Sequence, residues 1–171
     1  MLPFSHFDAA LPYDGFLGKF GSAGDKARWD RTREAVALTD DQRALLAKFT
    51  RRTNVLVLAG AWCGDCANQC PIFERFAEAA PVLQIRYLDR DAHPDAQQEL
   101  RINGGDRVPV AVFFSEDGFE VARYGERTLA AYRKMAGEAS GGDVVADWLR
   151  EFERVQWILR LSPRLRKLHG D

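Results

Sequence analysis

Three side chains in this chain can act as sulfur nucleophiles, and all fall within one short stretch: Cys63, Cys66 and Cys70. A structural disulfide framework spreads more cysteines along a shorter chain, so the cluster reads as chemistry rather than stapling. Cys63 and Cys66 stand three apart in Trp62-Cys63-Gly64-Asp65-Cys66, just after the apolar run Asn54-Val55-Leu56-Val57-Leu58-Ala59. That run predicts a strand buried on both faces. After the cysteines, Ile72, Phe73, Phe76 and Ala80 recur near the helical period until Pro81, with Pro71 an anomaly inside the expected helix. A cysteine at such a helix start meets unpaired backbone N–H groups and the positive end of the helix dipole. A free thiol titrates near about 8.5 and this setting lowers it, so Cys63 is expected to be substantially ionised at neutral pH and to be the nucleophile. Cys66, one turn in and deeper, is expected to stay protonated until it resolves a mixed disulfide.

Asp65 bears on that ionisation. A carboxylate about 7 Å from Cys63 opposes the thiolate by roughly 0.6–2.4 kcal/mol for a dielectric between 80 and 20, which is about half to nearly two pK units. Its bland role is that of an acid in the first turn of a helix. Cys70 follows Cys66 by four residues, which on an intact helix puts the Cβ atoms about 5–6 Å apart. A disulfide wants about 3.5–4.5 Å, so Cys70 is expected to be a small buried apolar residue. The competing arrangement has Cys63, Cys66 and Cys70 facing one metal ion or iron–sulfur cluster, with His93 as fourth ligand; otherwise His93 is a solvated loop residue beside Pro94.

The elements that must position these residues follow from pattern. Gly15, Gly18, Gly21 and Gly24 punctuate an opening segment too apolar for a free tail and too broken for a helix, so it is expected to wrap the body. Thr39 and Gln42 form a capping box ahead of Leu45, Leu46 and Phe49, predicting a helix that ends near Arg51-Arg52. Val82–Leu88 reads as a strand and Pro94–Leu100 as a short helix. Val110–Phe114 and Phe119–Arg123 read as an antiparallel hairpin across the Asp117-Gly118 turn. Thr128–Ala136 reads as a helix, and beyond Gly141-Gly142 a longer one carries Val145, Trp148, Leu149, Phe152, Val155 and Leu159 on one face, to pack on the sheet. Arg160, Arg164, Arg166 and Lys167 then read as a solvated basic tail.

This arrangement resembles the thioredoxin superfamily, which is marked by Trp-Cys-Gly-x-Cys after a buried strand, a proline five residues past the second cysteine and a cis-proline before an antiparallel hairpin. Pro71 stands at the first proline position and Val108-Pro109-Val110 at the second, and Gly125 resembles the glycine of the family's loop beside the active site. The likeness runs from about Thr53 to Gly137. It implies an α/β fold, a thioredoxin-like mixed β-sheet flanked by helices, with an extra N-terminal segment and helix and a C-terminal helix. The whole of 1–171 is expected to be a single domain: an N-terminal extension over 1–52, the core over 53–137 and a C-terminal helical extension over 141–171. The likeness also implies that Cys63 and Cys66 are catalytic and that Trp62, Gly64, Asp65, Val108, Pro109 and Gly125 meet substrate, with the backbone at Val108 free to bond an extended substrate strand. Reducing members carry a buried Asp six residues before the nucleophile, to accept the proton of the resolving thiol. Val57 stands there instead, so another group or water must serve.

Apolar residues make up 46% and charged residues 29%, which fits neither disorder nor a membrane protein. A net charge of −1 and a pI near 6.3 supply no field to hold a polyanion, so nucleic acid is not an expected partner. No apolar run is long enough to span a bilayer and no signal peptide is evident, so no membrane partner and a cytoplasmic location are expected. The leading expectation is a thiol-disulfide oxidoreductase serving redox homeostasis, with no cofactor beyond the Cys63–Cys66 disulfide. Its substrates would be protein or low-molecular-weight disulfides, and a thiol or reductase would donate electrons. The alternatives are the metal or iron–sulfur module and a non-catalytic adaptor of the same fold.

Overall fold

The strand that delivers the chain to the cysteines lies at the middle of the molecule. In the computed structural model, which describes residues 1–139 and 141–171, that strand is buried along its whole length. Ahead of it come α1 (Ser5–Ala9), α2 (Tyr13–Phe20), α3 (Ala23–Ala35) and α4 (Asp40–Leu46), then β1 (Thr53–Ala59). The chain continues through α5 (Gly64–Ala79), β2 (Leu83–Asp89), α6 (Pro94–Glu99), β3 (Val110–Ser115), β4 (Glu120–Gly125), α7 (Leu129–Met135), α8 (Val144–Leu161) and α9 (Pro163–His169). The sheet order is β2-β1-β3-β4, with β1 parallel to β2 and antiparallel to β3, and β3 antiparallel to β4. It is the mixed sheet flanked by helices that the resemblance implies.

The opening segment does not merely wrap the body; it folds into three helices. Gly15 and Gly18 lie inside α2, where each glycine costs about 1 kcal/mol of helix propensity relative to alanine. Burial overrides that cost. Tyr13, Phe16, Leu17 and Trp29 are buried, and Tyr13, Phe16 and Trp29 meet Tyr87 of β2 in one aromatic cluster with ring centroids 5.5–6.1 Å apart. α3 has no apolar stripe, yet Ser22 and Asp25 form a reciprocal capping box at its start. α4 begins at the expected box of Thr39 and Gln42 but ends at Leu46, short of Arg51-Arg52.

The basic C-terminal stretch is likewise no solvated tail. Ser162 caps α9, whose Leu165 is buried, and Arg164 forms a bidentate pair with Asp117 in the β3–β4 turn while stacking on Phe119. The apolar face of α8 packs as expected: Phe152 touches Phe73, Phe76 and Phe113, and Trp148 touches Phe73. Gln156 ties this helix to the entrance of β1 through the backbone of Arg51 and the hydroxyl of Thr53. The turn glycine Gly118 has φ +83°, the left-handed conformation that its turn requires.

Candidate active site

β1 ends at Ala59, and the next residues turn tightly to expose the start of α5. The Cys63 N–H donates to the Gly60 carbonyl at 3.0 Å, and Cys63 becomes the N-cap of α5, its own carbonyl accepting the first helical bond from Ala67. Trp62 stands half exposed at 49%, while Cys63 is at the edge of burial and Cys66 and Cys70 are fully enclosed. All three are free thiols. Pro71 lies inside α5, where its missing N–H removes one bond from the helical ladder.

The β3 side closes on the cysteines. The Val108–Pro109 peptide bond is cis, and the Cys63 thiol donates to the Val108 carbonyl at 3.8 Å. The Cys63 thiol thus lies against the Val108 backbone, the place where the resemblance expects an extended substrate strand to bond. Gly125 pairs with Val110, and a Cβ there would sit 2.5 Å from the Pro109 carbonyl, so only glycine fits this approach. The structure thus brings Cys63, Gly64, Asp65 and Cys66 at the head of α5 beside Val108, Pro109 and Gly125.

Cys63 differs from expectation in its ionisation, whereas Cys66 is held in its protonated form as expected. The hydrogen bond with Cys66 and then burial push Cys63 above the ordinary thiol range, although the N–H groups of Cys66 and Asp65 pull the other way. Burial pushes Cys66 well above it too, while its bond with Cys63 and the Gly60 N–H at 3.5 Å act to lower it. The helix terminus is present as read; at Cys63 the bond with Cys66 and then burial outweigh it, and at Cys66 burial does. Val57 is buried between Tyr87 and Ala111, as a strand centre requires.

Asp65 is not a lone opposing charge. Arg127 grips its carboxylate with both arms of the guanidinium, at 2.6 and 3.1 Å. Arg127 also reaches the buried Glu126, which accepts further bonds from Arg107 at 2.6 Å and Tyr132 at 2.7 Å. From the other side, α3 holds the loop: Trp29 Nε1 donates to the Ala61 carbonyl at 2.9 Å and Arg28 donates to the Trp62 carbonyl at 2.9 Å. Arg90 stacks on the Trp62 ring at 4.8 Å. None of these arginines, nor Trp29, was evident as a site residue in the sequence. Arg127 stands two residues past Gly125, and that proximity is the one signal that could have found it.

Cys70 is the small buried residue expected of it. His93 begins α6 and donates through Nδ1 to the Asp89 carbonyl at 3.0 Å. Among the described residues, no three His, Cys, Asp or Glu side chains are grouped to hold a metal ion, so the proposed gathering of His93 with the cysteines does not occur. Nor is any helix among them long and apolar enough to cross a membrane.

A family model described as thioredoxin matches residues 18–140, well over half of the chain. The chain belongs to the thioredoxin family. A Streptomyces coelicolor protein provisionally named thioredoxin 2 is 31% identical over 78 residues, covering 46% of this chain and 56% of that protein. A thioredoxin of Chlamydia muridarum is 34% identical over 62 residues, covering 36% of this chain and 57% of its own. The chain thus spans a little over half the length of these curated relatives. Among solved structures, a Pseudomonas aeruginosa protein of unknown function superposes with a TM-score of 0.74 at 21% identity, covering 91% of this chain and 97% of that one. At that identity the likeness is one of fold, and it extends over nearly all of both chains.

Proposed function

We propose that this thioredoxin-family chain is a thiol-disulfide oxidoreductase that reduces disulfides. The observation that carries the reading is Cys63 at the N-cap of α5, facing the Val108 carbonyl, with the enclosed Cys66 one turn behind it. Deprotonated Cys63 attacks one sulfur of a substrate disulfide; the Cys63–substrate bond forms, the substrate bond breaks, and one substrate sulfur leaves as a thiolate. Cys66 then gives its proton to that thiolate or to water and attacks Cys63. The second substrate sulfur leaves, and the two electrons of the Cys63–Cys66 dithiol have passed to the substrate. Thiols held above their usual range favour this direction, because a strongly oxidising couple is one whose reduced thiolate is stabilised.

Trp62, Gly64, Asp65, Val108, Pro109 and Gly125 form the surface on which we place the substrate: a protein or low-molecular-weight disulfide that displaces Cys63 from the Val108 carbonyl. The redox-active disulfide is the sole cofactor of this scheme, and a thiol or reductase restores the dithiol. We assign the reaction to the cytoplasm, where such a dithiol is kept reduced; nucleic acid and membrane have no part in it. The test is trapping. Cys66→Ser is expected to accumulate mixed disulfides with protein substrates that separate only under reducing electrophoresis, and Cys63→Ser to form none. Trapping by Cys63→Ser instead would reverse the assignment, and an inert wild type in an insulin-reduction assay would remove the activity.

A further inference from the structure

The Asp65–Arg127 pair has no task in the exchange scheme above, yet it is built with more care than a surface ion pair needs. Its two bonds form a parallel fork, with the side chains only 31% and 20% exposed. Arg127 is also fixed independently of Asp65. The loop that carries it follows β4 and is pinned to α5, because Gln69 Nε2 donates to the Glu126 carbonyl at 3.0 Å while Gln69 Oε1 accepts from Trp148 Nε1 at 2.9 Å. The guanidinium is thus held over the first turn of α5 by the core, and the carboxylate that it meets stands two residues from the nucleophile.

We propose that Arg127 is a positioning residue that sets the acidity of Cys63 by cancelling the charge of Asp65. This deepens the oxidoreductase reading and rests on it for its use, though not for its test. The other groups around the thiol are constant and accounted for. Cys66 shares a bond with Cys63 from within α5, and the backbone N–H groups of Asp65 and Cys66 point at it. Arg28 of α3 is spent on the Trp62 carbonyl, Arg90 on the Trp62 ring, and Arg107 and Tyr132 on Glu126. Asp65 and Arg127 are the opposite charges paired at the first turn of α5, and a single substitution upsets their balance. Losing one arm of that balance exposes Cys63 to an uncompensated charge at about 7 Å, which shifts a titration by about half a unit to two units.

The experiment titrates Cys63 by the pH dependence of its alkylation, read on its own peptide by mass spectrometry, in the full-length wild type and four variants. Arg127→Gln is expected to raise the Cys63 pKa by that amount, and Asp65→Asn to lower it. Asp65→Asn combined with Arg127→Gln is expected to return it to within about 0.3 units of wild type. Arg127→Lys keeps the charge without the fork and is expected to stay near wild type, which guards against a general loosening of the loop. The glutathione equilibrium of the couple is expected to move with the pKa: a higher pKa gives a more reducing couple. An unchanged or lowered pKa in Arg127→Gln overturns the proposal, as do two single variants that move in the same direction. Alkylation needs no substrate, so a wild type inert toward insulin would end the activity reading while leaving the cancellation tested on its own.

Discussion

Trp29 is where α3 grips the loop of the cysteines, and Trp29→Phe measures that grip. The side chain is fully buried, and its Nε1 donates to the carbonyl of Ala61, itself buried and one residue before Trp62. The substitution keeps a six-membered ring in the cluster of Tyr13, Phe16 and Tyr87 but removes about three ring atoms, the donor nitrogen among them. Lost apolar burial contributes about 1 kcal/mol, and a buried carbonyl deprived of its donor about 1–3 kcal/mol. The expected destabilisation is therefore about 2–4 kcal/mol, measured by urea unfolding at neutral pH. For a chain of this length that corresponds to a fall in Tm of roughly 4–16 °C. The control is Trp157→Phe on α8, whose side chain is 48% exposed and whose loss is expected to change stability by no more than about 0.5 kcal/mol. If Trp29→Phe costs no more than this control, α3 does not hold the active-site loop and the argument fails. Where stability does fall, the disulfide-exchange rate at matched folded fraction is expected to fall as well, because the carbonyl that anchors the loop has been released.

Cys70→Ser is expected to retain exchange activity and to cost about 1–3 kcal/mol, the usual penalty for enclosing a hydroxyl where a thiol packed; loss of activity with stability intact would give Cys70 a chemical part. Glu74 of α5 is pushed above the usual carboxylate range chiefly by burial, against the bond that it accepts from Tyr87 at 2.8 Å. A raised carboxyl favours the fold in its protonated form, so its contribution is fully present below the unfolded value and is lost as pH rises through the folded one. Glu74→Gln, which keeps an acceptor for Tyr87, is thus expected to unfold at higher temperature than wild type at pH 7–8 and to converge with it near pH 4; the opposite ordering at pH 8 would contradict the burial argument. Glu126→Ala, which leaves Arg107, Arg127 and Tyr132 without their shared buried acceptor, is expected to cost about 1–3 kcal/mol in the same unfolding assay; a change within about 0.5 kcal/mol would show that this network does not stabilise the loop.

The central unit was legible because its signals are local. A buried strand announces itself by the apolar run Val55–Leu58, a hairpin by Asp117-Gly118, and the candidate site by two cysteines where strand gives way to helix; each follows from backbone geometry over a few residues. β1, α5, β3 and β4 accordingly lie where pattern put them, to within a residue or two at the boundaries. The opening helices were misread for the opposite reason. Gly15 and Gly18 argue against a helix on propensity, and α3 lacks an apolar stripe; both form because Phe16 and Trp29 bury against Tyr87, a partner remote in sequence. A capping box at Ser22 and Asp25 was in plain view, but a cap marks a helix only if something then packs against it.

The amino-acid order by itself determined which atoms can do the chemistry: Cys63 and Cys66 at helical spacing, Asp65 between them, Pro109 ahead of a strand. What only the tertiary structure decided is the field in which those atoms work. Helix-terminus electrostatics act within one turn and can be read from sequence, but burial and charge pairing depend on which distant segments arrive. Cys63 is held by its bond with Cys66 and both thiols are enclosed, so their pKa values move up rather than down. Arg127, more than sixty positions beyond Cys63 in the chain, arrives to neutralise Asp65, and Trp29 and Arg28 arrive from the other direction to hold the loop. Coulomb and desolvation energies depend on distance in space and on exclusion of water, and neither quantity exists until the chain has folded.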